Sequence, residues 1–259
     1  MSLIHPTAII EAGATIGKNV SIGAYSYISK DVSIGDNTKI GSHTLIEGNT
    51  TIGNGNEIFS HAVIGSIPQD LKYSGEKVEL IIGNNNKIRE FTLINPGTKG
   101  GGGVTKIGNN NLLMGYVHIA HDVIIQNNCI LANAATLAGH VELGSGVVIG
   151  GLTPIHQFVK IGDMAMIAGA SAVSQDVPPY CLVEGNRAKL RGLNLTGLRR
   201  NIATEDINRI KSAYRELFSG TRPLKEVAKE LSRSENSYIS NLAQFILNST
   251  RGIAYDRTK

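Results

Sequence analysis

Tryptophan is absent from this chain and cysteine is nearly so, with Cys129 and Cys181 far apart and outside any CxxC spacing. Two such thiols support neither a disulfide framework nor a zinc knuckle, and read as reduced packing groups. Long apolar runs are also missing. No stretch approaches the roughly 20 residues of a membrane span, and Met1–Pro6 lacks the basic-then-apolar order of a signal peptide. A cytoplasmic protein with no stable membrane insertion is expected. Acidic residues are the minority, 21 against 25 Lys and Arg, for a net charge of +4 and an isoelectric point near 9.0. That balance favours an acidic partner. Without tryptophan or interleaved basic and aromatic residues, nucleic acid is not that partner.

What is present is a period of six. A large aliphatic residue recurs at Ile10, Ile16, Ile22, Ile28, Ile34, Ile40, Ile46, Ile52, Ile58 and Ile64, often followed by glycine. Four residues after most of them stands a small or β-branched side chain, such as Ala14, Val20, Ser26, Val32, Thr38 or Thr44. This is a hexapeptide repeat of the parallel β-helix kind. An amphipathic helix would need apolar residues at i, i+3, i+4 and i+7, and would not tolerate so much glycine.

Two stretches interrupt the count. Ile67 to Gly75 (Ile-Pro-Gln-Asp-Leu-Lys-Tyr-Ser-Gly) has no repeat character but leaves the phase of Ile82, Ile88 and Ile94 intact. It reads as an excursion from the coil. Gly97 to Gly103 (Gly-Thr-Lys-Gly-Gly-Gly-Gly) is followed by a count shifted in phase, resuming at Ile107. Because no GKS/T follows it and no helix begins there, it reads as a mobile loop rather than a phosphate cradle.

From Ile107 the period runs through Leu113, Ile119, Ile125, Leu131, Leu137, Leu143, Ile149, Ile155, Ile161, Ile167 and Val173. Hexapeptide solenoids coil as triangles of three hexads, so residues eighteen apart stack at about 4.8 Å, the spacing of adjacent strands. Eighteen after His121 comes Gly139, then Gln157; eighteen after Asp122 comes His140. His121, Asp122, Gly139, His140, His156 and Gln157 are therefore expected at one corner of three consecutive coils. Histidine is the side chain best suited to move a proton near neutral pH. Zinc bound between histidines is the metal alternative, but His118 and His121 lack a clear third ligand, so no metal is expected.

The segments Gln69–Gly75, Asn111–Met114, His118-Ile119-Ala120-His121-Asp122, Ala138-Gly139-His140, His156-Gln157-Phe158, Gln175–Tyr180 and Ser249–Gly252 resemble those of the UDP-N-acetylglucosamine O-acyltransferases, the first enzymes of lipid A biosynthesis. The resemblance spans essentially the whole chain. It implies a mainly β fold, a left-handed parallel β-helix over residues 1–186 with a C-terminal α-helical domain over 187–259. It further implies a homotrimer with sites between subunits, no cofactor, and two substrates: a 3-hydroxyacyl chain on acyl carrier protein and a UDP-sugar. By position, His121 corresponds to the general base, Asp122 to a carboxylate orienting it and Gly139 to the backbone donor for the oxyanion. Asp70, His140 and Gln157 correspond to residues around the sugar, with His156 beside Gln157 as a further substrate-binding residue, His118 to one near the diphosphate, and Asn194 and Arg200 to nucleotide or phosphate contacts. Gln69 and Lys72 fall on the acyl-donor side, and Gly169 at the position that measures chain length.

Some positions depart from the family pattern: Asn95 where histidine is common, Thr196 and Asn201 near the nucleotide, and Gly115-Tyr116-Val117 before the HIAHD segment. They raise N-acylation of a 3-amino sugar as an alternative to O-acylation. After Pro178-Pro179 the period is helical, with Thr204 read as an N-cap, a short helix from Pro223 to Leu231, and an apolar face of Ile239, Leu242, Phe245 and Ile246. Arg199, Arg200, Lys211, Arg215, Arg222 and Lys225 gather in this part as a basic dock for acyl carrier protein.

Overall fold

The computed structural model describes residues 3–255. Each hexad contributes a strand of mostly two residues, its second residue an aliphatic turned inward, and three hexads close one triangular coil. Strands of successive coils pair in parallel and in register, Leu112 on Ile130 and His118 on Thr136, so equivalent residues stack eighteen apart. Three flat sheets result, one of eleven strands and two of eight. This is a left-handed parallel β-helix. Its interior is a single column of Ile, Leu and Val, with Ile22, Ile64, Ile94, Leu113 and Ile119 each 1% exposed or less. The period of six makes the column: the chain turns a corner once per hexad, so the same position always faces in.

The corners carry the conformational cost. Most corners hold one residue at positive φ, including Asp122 (59°), His140 (62°) and Phe158 (64°). For residues with a Cβ that conformation costs roughly 1–2 kcal/mol, and here the flanking strands impose it.

The interruptions are insertions at the corner between the sheet of His118–Ile119 and the sheet of Ile124–Ile125. Across the first, paired residues lie 30 apart rather than 18, as Ile58 does from Ile88, an insertion of 12. Twelve is two hexads, which is why the phase survives. Across the second, Ile82 pairs with Ile107, 25 apart, an insertion of 7 that shifts the phase by one.

The turn away from the repeat differs from the helical start that follows Pro179 in the sequence reading. The chain first makes a hairpin, Cys181–Glu184 with Lys189–Leu193, whose first strand extends the eleven-stranded sheet. Helices follow at α1 (Leu195–Asn201), α2 (Thr204–Phe218), α3 (Leu224–Leu231) and α4 (Ser237–Asn248). Thr204 is the first residue of α2 rather than its cap; Ala203 holds the cap position and no side chain caps there. The helices share a second core of Leu198, Ile207, Ile210, Leu217, Leu242 and Ile246.

Two aspartates fasten that core to the coil. Asp163 accepts from Asn241 Nδ2 (3.0 Å), which also reaches the Tyr180 hydroxyl (3.0 Å). Fully buried Asp176 accepts from the Ser249 hydroxyl (2.6 Å) and the Lys160 N–H (2.8 Å). The Gln175–Tyr180 and Ser249–Gly252 segments are thus the two halves of one joint. Among the described residues no helix is long and apolar enough to cross a membrane.

Candidate active site

His121 and Asp122 lie at the corner just after strand His118–Ile119. Asp122 Oδ2 is 2.8 Å from His121 Nδ1. A carboxylate only accepts, so Nδ1 carries the hydrogen of this bond, and in the neutral ring Nε2 presents the lone pair. On the next coil Gly139 meets the face of the imidazole: a Cβ built there would lie 2.5 Å from His121 Cε1 and 2.8 Å from Nε2. Only glycine leaves the ring in place. Among the described residues the Gly139 N–H donates to no acceptor, while its neighbour His140 donates to the His121 carbonyl at 3.1 Å. The His140 ring stands edge-on to His121 (centroids 5.1 Å apart, 87°) and flat on Phe158 (4.3 Å, 5°).

The glycine-rich segment, expected as a mobile loop, is folded onto the dyad. It forms a 3-10 turn at Lys99–Gly101 that packs on Asp122. Thr98 donates twice to the carboxylate, from its N–H to Oδ1 (2.9 Å) and from its hydroxyl to Oδ2 (2.6 Å). The Asp122 N–H donates to Thr105 Oγ1 (2.8 Å). Asp122 is consequently 5% exposed although it sits at an outer corner. Phe158, eighteen after His140, continues the same stack, whereas Thr98, Gly101 and Thr105 are neighbours of the dyad that the repeat arithmetic did not reach. The density of glycine was the signal, since glycine accumulates where backbone must approach closely.

Other residues expected at the site divide into two groups. Asp70, on the excursion, lies close enough to His140 to draw its pKa upward, against the larger lowering by burial. It also accepts the Lys72 N–H at 3.0 Å, which turns the excursion. His118 precedes the dyad on its strand, with Nδ1 buried and unpartnered. Gln69, Lys72, His156 and Gln157 are exposed, and the His156 ring turns to the Gln157 carbonyl (3.1 Å). The remaining three stand elsewhere, one at another corner of the coil and two at the first helix. Gly169 lies after strand Met166–Ile167, with its nearest foreign atom, the Gly151 carbonyl oxygen, 3.4 Å from an added Cβ. Asn194 caps α1 through the Gly197 N–H and donates to the Met164 carbonyl (2.9 Å), and Arg200 is exposed on the same helix. Asn95, buried, donates to the carbonyls of Ser66 and Ile67 (3.0 and 3.1 Å) and so anchors the start of the excursion. In the basic group, Arg222 is already paired with Glu226 and Glu230.

The donor atoms of His121, Asp122 and His140 lie within 4.8 Å of one another, near enough to share a cation. The carboxylate, however, is already occupied by Thr98 and His121, and a cation would have to displace those bonds.

Burial holds the pKa values of His118 and His140 below their ordinary 6.5. The folded state therefore binds fewer protons than the unfolded chain once the pH drops below that value. Stability is expected to be level above about pH 6.5 and to fall on acidification through the lowered folded values. Thermal unfolding at about pH 7.5 and 5.5 should show a melting temperature lower by a few degrees in acid, with a smaller drop in the His118→Gln/His140→Gln variant. Equal drops in the two proteins would reject this assignment.

A β-helix of hexads with a histidine–aspartate pair pressed against a glycine of the next coil defines a hexapeptide-repeat transferase. The bacterial transferase hexapeptide family model matches residues 104–139, and the model for domain 2 of UDP-N-acetylglucosamine O-acyltransferase matches residues 176–254. The acyl-[acyl-carrier-protein]--UDP-N-acetylglucosamine O-acyltransferase of Aliarcobacter butzleri is 66% identical over 99% of this chain and 100% of its own length. That of Sulfurovum sp. is 67% identical over 99% of each. The solved UDP-N-acetylglucosamine acyltransferase from Campylobacter jejuni superposes with a TM-score of 0.94 at 52% identity, over 98% of this chain and 99% of that one. The Francisella novicida enzyme gives 0.95 at 37%, over 99% and 95%. The chain belongs to the UDP-N-acetylglucosamine O-acyltransferase family.

Proposed function

We propose that this protein moves a 3-hydroxyacyl chain from acyl carrier protein to the 3-hydroxyl of UDP-N-acetylglucosamine, the first step of lipid A biosynthesis. The observation that carries the proposal is the His121–Asp122 pair with the unengaged Gly139 N–H on the adjoining coil. His121 Nε2 takes the proton of the sugar hydroxyl as the oxygen attacks the thioester carbonyl. The tetrahedral oxyanion accepts the Gly139 N–H, a single donor of a kind that contributes about 3 kcal/mol to such a step. Collapse breaks the carbon–sulfur bond, and the departing thiolate takes the proton back from the imidazolium. Asp122 holds Nδ1–H throughout. No cofactor and no covalent enzyme intermediate are required.

Asp70, His118, His140, His156 and Gln157 bind the sugar diphosphate in this reading, and Gln69 and Lys72 meet the acyl donor. Gly169 lies at another corner of the coil, and Asn194 and Arg200 lie at α1. Their separation from His121 supports a homotrimer in which a neighbouring copy brings them to the site, Gly169 leaving room for a long acyl chain. Exposed Arg199, Arg200, Arg215 and Lys225 offer acyl carrier protein a basic surface. Two buried, unpaired thiols are consistent with the reducing cytoplasm. The relatives' O-acyltransferase names support the hydroxyl acceptor over the 3-amino sugar.

The test is acyl transfer from 3-hydroxyacyl-acyl carrier protein to the 3-hydroxy and 3-amino UDP-sugars in parallel. Turnover of the hydroxy sugar at least tenfold above the amino sugar is expected, taking the difference as about 1.4 kcal/mol in the transition state. A clear preference for the amine would replace the ester product by an amide, and turnover of neither by folded protein would reject acyl transfer.

A further inference from the structure

Asp122 is one carboxylate facing two imidazoles. Its Oδ2 is 2.8 Å from His121 Nδ1 and 3.9 Å from His140 Nδ1. Rotation about the bond to a carboxylate is soft, so an untethered aspartate would swing between the two rings. Thr98 removes that freedom by engaging both oxygens from a single residue, N–H on Oδ1 and hydroxyl on Oδ2. The glycines around it make the clamp possible. A side chain on Gly101 would overlap the Asp122 carboxylate, which packs directly on that backbone. Gly102 and Gly103, at φ 101° and 84°, fold the chain back so that the N–H groups of Gly101 and Gly103 reach the Thr98 carbonyl at 3.0 and 2.8 Å. Thr98 is 5% exposed and thereby fixed in place.

We infer that Thr98 is a positioning residue for acyl transfer, holding the Asp122 carboxylate on His121 and away from His140. With the carboxylate held there, Nδ1–H of His121 is always engaged and Nε2 is the nitrogen offered to the acceptor. His140 keeps its stacking on Phe158 and remains available to substrate. Thr98 itself touches no reacting atom. This inference rests on the reading of His121 as general base.

Thr98→Val keeps the side chain's shape and removes the hydroxyl, while Thr98→Ser restores it. Thr98→Val should lower kcat about ten- to a hundredfold, the size of one lost hydrogen bond to a charged group. KM for the UDP-sugar should stay within about twofold, because the lost interaction acts only as the proton moves. Thr98→Ser should recover to within about threefold of wild type. In an Asp122→Asn background, Thr98→Val should add less than about a twofold further loss, since the pairing it serves is already gone. Unchanged kcat, a loss confined to KM, or losses that multiply in the double variant would each overturn the inference; multiplication is what a purely structural loop produces. Should Thr98→Val not fold, Gly101→Ala pushes on the same carboxylate from the loop side, and the same loss in kcat at constant KM is expected of it. His121→Ala measured alongside separates the two readings. If it turns over like wild type, the general-base assignment falls; if it is inactive while Thr98→Val is fully active, only the positioning role falls.

Discussion

His121→Ala should lower kcat about a thousandfold while KM for the UDP-sugar changes no more than a few-fold, the signature of a lost general base. The imidazole binds neither the nucleotide nor the acyl chain in this mechanism, so ground-state binding has little to lose. What disappears is the acceptor for the hydroxyl proton, and solvent is a poor replacement at a corner where His121 is wedged against the next coil. Residual turnover reflects the Gly139 donor and the positioning of two bound substrates, which the substitution leaves intact. The fold should hardly notice. His121 lies outside the aliphatic column and its own carbonyl, not its side chain, makes the bond to the His140 N–H. Steady-state kinetics with thermal unfolding of the same preparation decide the matter. Retention of more than about a tenth of wild-type kcat in a folded protein would remove His121 from the role, because general-base assistance contributes at least a hundredfold.

Gly139→Ala is the second large effect, and its origin is steric. The Gly139 backbone is not in the left-handed region, so alanine can adopt its conformation. The tightest conflict is with His121: the new methyl would sit 2.5, 2.8 and 3.1 Å from Cε1, Nε2 and Nδ1. The ring must swing aside, which breaks its bond to Asp122 and displaces Nε2 from the oxyanion donor. A loss of about a hundred- to a thousandfold in kcat is expected, with destabilisation of about 1–3 kcal/mol from overpacking. The two consequences can be told apart. In the double variant His121→Ala/Gly139→Ala the methyl has room, so stability should return toward that of His121→Ala while activity stays lost. A double variant no more stable than Gly139→Ala would show that the strain lies in the backbone.

Much of this site is legible in the order of residues alone. Sequence distance translates into stacking wherever the coil is uninterrupted, so adding eighteen set Gly139 on His121 and His140 on Asp122. The first insertion was readable for the same reason, since twelve residues are two whole hexads. The glycine-rich segment was not. Seven inserted residues obey no multiple of six, and the bond from Thr98 to Asp122 spans 24 residues with no register to announce it. Composition alone suggested mobility, whereas glycine here serves close approach to a buried carboxylate. For His156 the count gives a place beside Gln157 on the coil, and the structure adds the ring's orientation, turned to the Gln157 carbonyl. Beyond Pro179 the helical faces of Ile207, Ile210 and Leu217 were plain, and the hairpin before α1 was not, because its strands have neither the hexad period nor a two-residue turn signal.

The β-helix, its corners and the pairing of His121 with Gly139 follow from the order of residues, because each depends on a local period repeated by translation along one axis. Which carboxylate oxygen meets His121, what covers Asp122, and how Asp163 and Asp176 join the helices to the coil depend on the folded chain. Those bonds close between segments whose separations follow no period, and their geometry is set by packing rather than by count.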